Sequence, residues 1–224
     1  MKRIRTFIAT ALVASMTLSM AGCSLMGSKI GPKKLQSYSD DFGAEIYDDS
    51  DDFMDDLDDA VEKNDPDELK DGIFTIVKDD DIKDAMKKSA LSTYTDDFYE
   101  KTINELAIFV RGEQDGYDSL SVIALSAVYD SKKDAEEAFE DMVDTLEDAT
   151  KNDYYDTDCD TFEDGGIQYV LFTLESSFFN QNVGIYQDGN TILFIIGTGN
   201  PKKDIENGVD DVCEFFGVVP PSDL

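Results

Sequence analysis

Three aspartates at alternate positions, Asp156, Asp158 and Asp160, followed by Glu163, are the most suggestive chemical constellation in the chain. Hard oxygen ligands on every second residue can wrap a single calcium ion, which takes roughly six to eight such oxygens. The spacing then departs from a standard calcium loop. Counted from Asp156, the sixth position is Thr161 where a sharp turn needs glycine, and the twelfth is Ile167 where a bidentate Glu belongs. The stretch therefore has two readings: a looser calcium site, or a solvated acidic loop joining a helix to a strand. Calcium is the one cofactor the sequence raises.

Other chemistries are removed by composition. The chain has no histidine, which excludes Ser-His-Asp and Cys-His nucleophiles, His-based proton relays and His-rich zinc sites. Gly197-Thr198-Gly199-Asn200-Pro201 lacks the Lys and the spacing of a phosphate-cradling loop and reads as a turn from strand to helix. Among 50 Asp and Glu residues some pair would fall at glycosidase spacing by abundance alone, and Trp, the usual sugar platform, is absent. A carboxylate-based hydrolase is an alternative, but the expectation is a protein that is not an enzyme.

The three cysteines, Cys23, Cys159 and Cys213, carry more information. Lys2, Arg3 and Arg5 precede an apolar run from Thr6 to Met20, which at 15 residues is shorter than the roughly 20 needed to span a bilayer. The run ends in Leu18-Ser19-Met20-Ala21-Gly22-Cys23. Small residues just before a Cys, with a bulky apolar residue ahead of them, resemble the lipobox of bacterial lipoproteins, with Met20 where Leu is commonest. The resemblance covers residues 1–23 and implies removal of residues 1–22 and a diacylglyceryl group on Cys23, now the N-terminus. Two acyl chains suffice for stable attachment, so the expected location is the extracytoplasmic face of the cell membrane. With Cys23 committed to lipid, Cys159 and Cys213 remain, either as a disulfide pair or as two free thiols.

Charge divides the rest. The net charge is −31, yet every acid lies after residue 39, and from Asp40 onward 13 bases face 50 acids, a balance of −37. Such a surface repels nucleic acid. Residues 23–39 hold Lys29, Lys33 and Lys34 and no acid. They read as a flexible tether, whose lysines would favour anionic headgroups beside the anchor.

The elements that position these residues follow from periodicity. Phe42, Ile46, Phe53, Leu57 and Val61 predict one long acidic amphipathic helix over 40–63, and Asp65-Pro66 opens a second through Leu69, Ile73, Ile76 and Val77. A third is expected over 81–91. Near residue 104 the pattern changes. The runs 106–110 and 120–129 predict a hairpin, Ser131 caps a helix whose inner face is Ala135, Ala138, Phe139, Met142, Val143 and Leu146, and a strand follows at 167–174. Val183–Gln187 and Thr191–Ile196 flank Asp188-Gly189-Asn190, a hairpin signal, and a last helix uses Ile205, Val209, Val212 and Phe216. The fold class is α+β: acidic helices over 40–104, then an antiparallel sheet packed with helices over 105–224 in the order β-β-α-β-β-β-α, with 40–224 as one domain the alternative.

Tyr38, Tyr47, Tyr94, Tyr99, Tyr117, Tyr154 and Tyr155 lie in or beside polar segments, either lining a ligand surface or sealing packing. The functional expectation is a membrane-anchored binding or interaction module for a protein or small molecule. A calcium-responsive envelope protein is the other alternative; a two-lobed solute-binding lipoprotein would need a longer chain than the 202 residues after the signal.

Overall fold

The computed structural model describes residues 28–63, 65–78, 82, 102–115, 118–150, 161–175 and 180–224. Among them the helices are α1 (Pro32–Phe42), α2 (Ser50–Lys63), α3 (Lys132–Thr150) and α4 (Lys202–Phe216). The strands are β1 (Glu45–Tyr47), β2 (Ile73–Lys78), β3 (Ile103–Asp115), β4 (Asp118–Tyr129), β5 (Thr161–Asp164), β6 (Ile167–Glu175), β7 (Asn180–Asp188) and β8 (Thr191–Asn200). All eight form one sheet in the order β1-β2-β3-β4-β8-β7-β6-β5. Every pairing is antiparallel except β1 with β2, which is parallel. The α+β class is as expected, with a mixed sheet in place of a purely antiparallel one.

Helices cover both faces. On one, Leu106, Ile108, Leu125, Tyr129, Ile185 and Phe194 pack with residues of α2 and α3; on the other, Phe109, Val122, Tyr186 and Ile195 pack with residues of α1 and α4. This explains why 120–129 is apolar at nearly every position: a strand buried on both sides has no polar face to alternate with.

The first two elements differ from their sequence reading. The expected helix over 40–63 is split, because Gly43 sits in the left-handed region (φ 89°) and its N–H closes on the Ser39 and Asp40 carbonyls. That is a helix C-terminus. The chain then enters β1 before α2 begins. The expected second helix is a single 3₁₀ turn, Pro66–Leu69, followed by strand β2. Ile73, Thr75, Ile76 and Val77 are β-branched and fit a pleated strand better than a helix. Of the third expected helix only Ile82, buried, is described. Because β1 and β2 join the sheet of β3 and β4, residues on both sides of position 104 share one core.

The tether is also corrected. From Ser28 the chain is packed: Ile30, Leu35, Tyr38 and Ser39 are buried. Ser28 Oγ and the Lys29 N–H both donate to Asp188 Oδ2, at 3.1 and 3.0 Å. The buried Ser126 hydroxyl donates to the Ile30 carbonyl at 2.7 Å. Pro32 supplies the first turn of α1, and Leu35 and Tyr38, three apart, face the sheet. One apolar stripe on a short helix was enough to fold a segment whose composition reads as a linker.

The second half follows its pattern closely. Ser131 caps α3 reciprocally, accepting from the Asp134 N–H at 3.1 Å while its hydroxyl donates to the Asp134 carboxylate at 2.7 Å. Gly189-Asn190 makes a two-residue turn with Asp188 opposite Thr191. Gly197 has no Cβ because Val209 and Ile205 of α4 lie against it, and this sets how closely the helix approaches β8. No helix among the described residues is long and apolar enough to cross a membrane.

Candidate functional site

Of the sequence-predicted ligands, only Glu163 lies within the described residues. Asp156, Asp158, Asp160 and Cys159 lie outside the described residues, as does Cys23. Glu163, expected in a loop, is an exposed residue of edge strand β5, opposite Gln168 of β6. The signal for this strand was Gly165-Gly166, both at positive φ (58° and 85°), which turn β5 into β6. Among the described residues no group of three His, Cys, Asp or Glu is arranged to hold a metal ion.

Cys213 is a free thiol, fully buried on the inner face of α4. Its Sγ lies 3.4 Å from the Tyr186 hydroxyl, which donates to the Val219 carbonyl at 2.6 Å. Burial, with a smaller push from Asp210, raises the thiol to about 12, although the Tyr186 hydrogen bond works the other way. A thiol held neutral in this way is a packing group and a poor nucleophile.

The tyrosines divide. Tyr38 packs edge-on against Phe109 and Phe215, and burial chiefly, then Asp211, pushes its hydroxyl up to about 12. Tyr47 donates to Asp56 at 2.5 Å and borders a shallow hollow of about 180 Å³ with Ile46, Asp48, Phe74 and Lys78. Tyr94, Tyr99, Tyr117, Tyr154 and Tyr155 lie outside the described residues.

The larger cleft, about 330 Å³, lies where the end of the β3–β4 ladder meets the first half of α4. Arg111, Glu113 and Asp115 come from β3, Asp118, Ser119 and Leu120 from β4, and Asp204, Asn207, Gly208 and Asp211 from α4. The helix residues recur at i, i+3, i+4 and i+7, which places them on one stripe beside the buried Ile205, Val209 and Val212. Gly208 admits β4 here, since a Cβ would come within 2.9 Å of Val122.

Arg111 is the only arginine beyond residue 5. Its guanidinium rests 4.9 Å from the Phe42 ring centroid, and one terminal nitrogen is 3.5 Å from Glu113 Oε2. Glu113 is shared with Lys70 at 3.4 Å. The Arg111 Nε is buried and has no hydrogen-bond partner among the described residues. The cleft thus sets one half-buried cation, with a donor to spare, among acceptor-only carboxylates. Sequence reasoning missed it. The available signals were an arginine directly after the apolar run 106–110 and the polar stripe 204, 207, 211 flanking the buried face of α4.

No protein-family model matches the chain, and neither does any curated protein. A search of solved structures finds partial similarity to the extracellular domain of PknH from Mycobacterium tuberculosis, with TM-score 0.38 and 11% identity over 65% of this chain and 82% of that one.

Proposed function

We propose that the protein is a lipoprotein held on the extracytoplasmic face of the membrane through Cys23, whose folded body is a binding module working through the Arg111 cleft. The charged start, the short apolar run and the small-small-Cys ending of residues 1–23 support the anchor. The observation that carries the binding reading is Arg111. Its guanidinium lines the cleft with 19% of the side chain exposed and Glu113 as its carboxylate neighbour at 3.5 Å, and the N–H donors that face the cleft suit a ligand carboxylate. The carboxylates of Asp118, Asp204 and Asp211 in the same cleft suit an ammonium group. The ligand class that satisfies both is a small zwitterion, such as an amino acid or a short peptide. At about 330 Å³ the cleft lies at the small end of the usual range of roughly 300–1,000 Å³ for ligand pockets.

Two measurements test the two halves. Cys23→Ala should release the protein from the membrane fraction and change its electrophoretic mobility; unchanged behaviour removes the anchor. Calorimetric titration with a panel of free amino acids and dipeptides should give a saturable isotherm that weakens at least about tenfold in Arg111→Gln, from loss of a charge-assisted hydrogen bond. Affinity equal in Arg111→Gln and wild type, or no saturable binding across the panel, refutes the cleft assignment.

A further inference from the structure

The two ends of the sheet differ in chemistry. At one end, Val128 faces Thr191 and the β7–β8 turn receives Ser28 through Asp188; at the other, Ser119 faces Asn200 beside the Arg111 cleft. Nine residues of β4 separate these levels, about 30 Å at strand rise. Helix α4 runs between them, from Asp204 at the cleft to Phe216 at the Ser28 end, where the Lys34 ammonium donates to the Phe216 carbonyl at 3.0 Å.

Among the described residues the lysines follow the same division, with Lys203 at the cleft end as the exception. Lys63, Lys70, Lys78, Lys132, Lys133 and Lys202 each sit against a carboxylate. Lys29, Lys33 and Lys34 make no ion pair among the described residues. Lys29 reaches only the Gly165 carbonyl, at 3.4 Å, and Lys29 and Lys33 are exposed. Lys34 has its ammonium over the Phe216 ring at 5.4 Å, and it is pushed below the ordinary lysine range by burial first and by the neighbouring Lys29 charge second. In a body with 50 acids, the Lys29 and Lys34 charges bear on each other, and the Asp188 carboxylate at this pole is met by Ser28 Oγ and the Lys29 backbone N–H. Exposed Phe162 of β5 flanks the Gly165 turn and stacks on Tyr169 at 5.6 Å.

We propose that the pole bearing Lys29, Lys33 and Lys34 seats on anionic lipid headgroups of the membrane that holds Cys23, so that the domain stands with the Arg111 cleft facing away from the bilayer. This rests on the lipid-anchor reading. Its geometric part follows from reach. Cys23 and Ser28 are five residues apart, which span at most about 18 Å when fully extended. An inverted domain, with the cleft on the membrane, would need Ser28 about 30 Å above it. The chain cannot reach that far. Between the remaining orientations charge decides, since an anionic leaflet repels the acidic flanks and attracts the three unpaired ammonium groups.

The test uses the full lipidated protein reconstituted in vesicles of equal phosphatidylglycerol and phosphatidylcholine, and in vesicles of phosphatidylcholine alone. A membrane-impermeant amine acylating reagent reports the exposure of each lysine by mass spectrometry. Lys203 is the internal control, exposed and, among the described residues, without an ion pair like Lys29 and Lys33 but at the cleft end. On anionic vesicles Lys29 and Lys33 should acylate about fivefold more slowly than Lys203, the factor expected from one lysine's attraction to such a surface. The difference should vanish in 1 M salt, where the Debye length is about 3 Å, and on phosphatidylcholine. Equal acylation of Lys29, Lys33 and Lys203 on anionic vesicles that retain the protein overturns the docking while leaving the anchor standing. Protection on both vesicle types that grows with protein density overturns it in favour of contact with the acidic body of a second copy. Failure of the protein to stay with either vesicle overturns the anchor reading and the docking together.

Discussion

Replacing Leu35 with Ala tests whether residues 28–42 belong to the fold or merely lead to it. Leu35 is fully buried, on the stripe that α1 presents to the sheet, and packs in the cluster formed with α4. Truncating a leucine at such a site costs the transfer free energy of the lost methyl groups plus the cavity left behind, about 2–5 kcal/mol. A tether residue would cost no more than about 0.5 kcal/mol, as for an ordinary surface change. Urea unfolding followed by circular dichroism separates the two. With a slope of about 1–3 kcal/mol per molar, a loss of about 3 kcal/mol lowers the midpoint by about 1 M or more. Lys33→Ala, exposed on the same helix, serves as the near-neutral control. A midpoint for Leu35→Ala within error of wild type, with unchanged slope, would refute the packing of α1 and remove the short reach from Cys23 to the domain.

Other perturbations read different parts of the structure. Ser126→Ala should destabilise by about 1–3 kcal/mol in the same assay, because the buried Ile30 carbonyl loses its partner; a neutral result would place Ile30 elsewhere. Gly197→Ala should cost about 1–3 kcal/mol by forcing α4 off β8, since a Cβ there runs into Val209 and Ile205; wild-type stability would show that the helix is free to shift. In a Cys159→Ala background, Cys213 should resist iodoacetamide at pH 8 and react once urea unfolds the chain, because its thiol is buried and neutral. Stability should also depend on pH through this group. The folded thiol sits near 12 against an ordinary 9.0, so its contribution is complete below pH 9 and is lost as pH rises toward 12. Urea midpoints between pH 8 and pH 10.5 should therefore fall less steeply in Cys213→Ala than in wild type, and parallel slopes would contradict the assignment.

The limits of the sequence reading lie in identifiable residues. Helices α3 and α4 and the β3–β4 and β7–β8 hairpins were legible because each shows one unambiguous period with its punctuation, Ser131 or Gly189-Asn190, in place. The first helix was misread because Phe42 and Ile46 keep helical spacing across Gly43, so local periodicity hid a chain reversal. Strand β2 was misread because Ile73, Ile76 and Val77 fit a helical face as well as a strand buried on both sides. The acidic spacing at 156–163 is a contiguous pattern, while the cleft joins residues 111–120 of the β3–β4 hairpin to residues 204–211 of α4 and has no contiguous pattern to read.

What the sequence by itself determined is a property of contiguous residues and composition: an acidic body, the absence of histidine and an α+β class. These follow from composition and short-range order, which need no partner in space. Tertiary structure alone decided the rest. It made residues 28–42 part of the core, placed β1 and β2 in the sheet of β3 and β4, left Cys213 a buried thiol beside Tyr186, and set Arg111, Asp204 and Asp211 around one cleft. Each depends on burial against elements far along the chain, a cost and gain that no local window of residues contains.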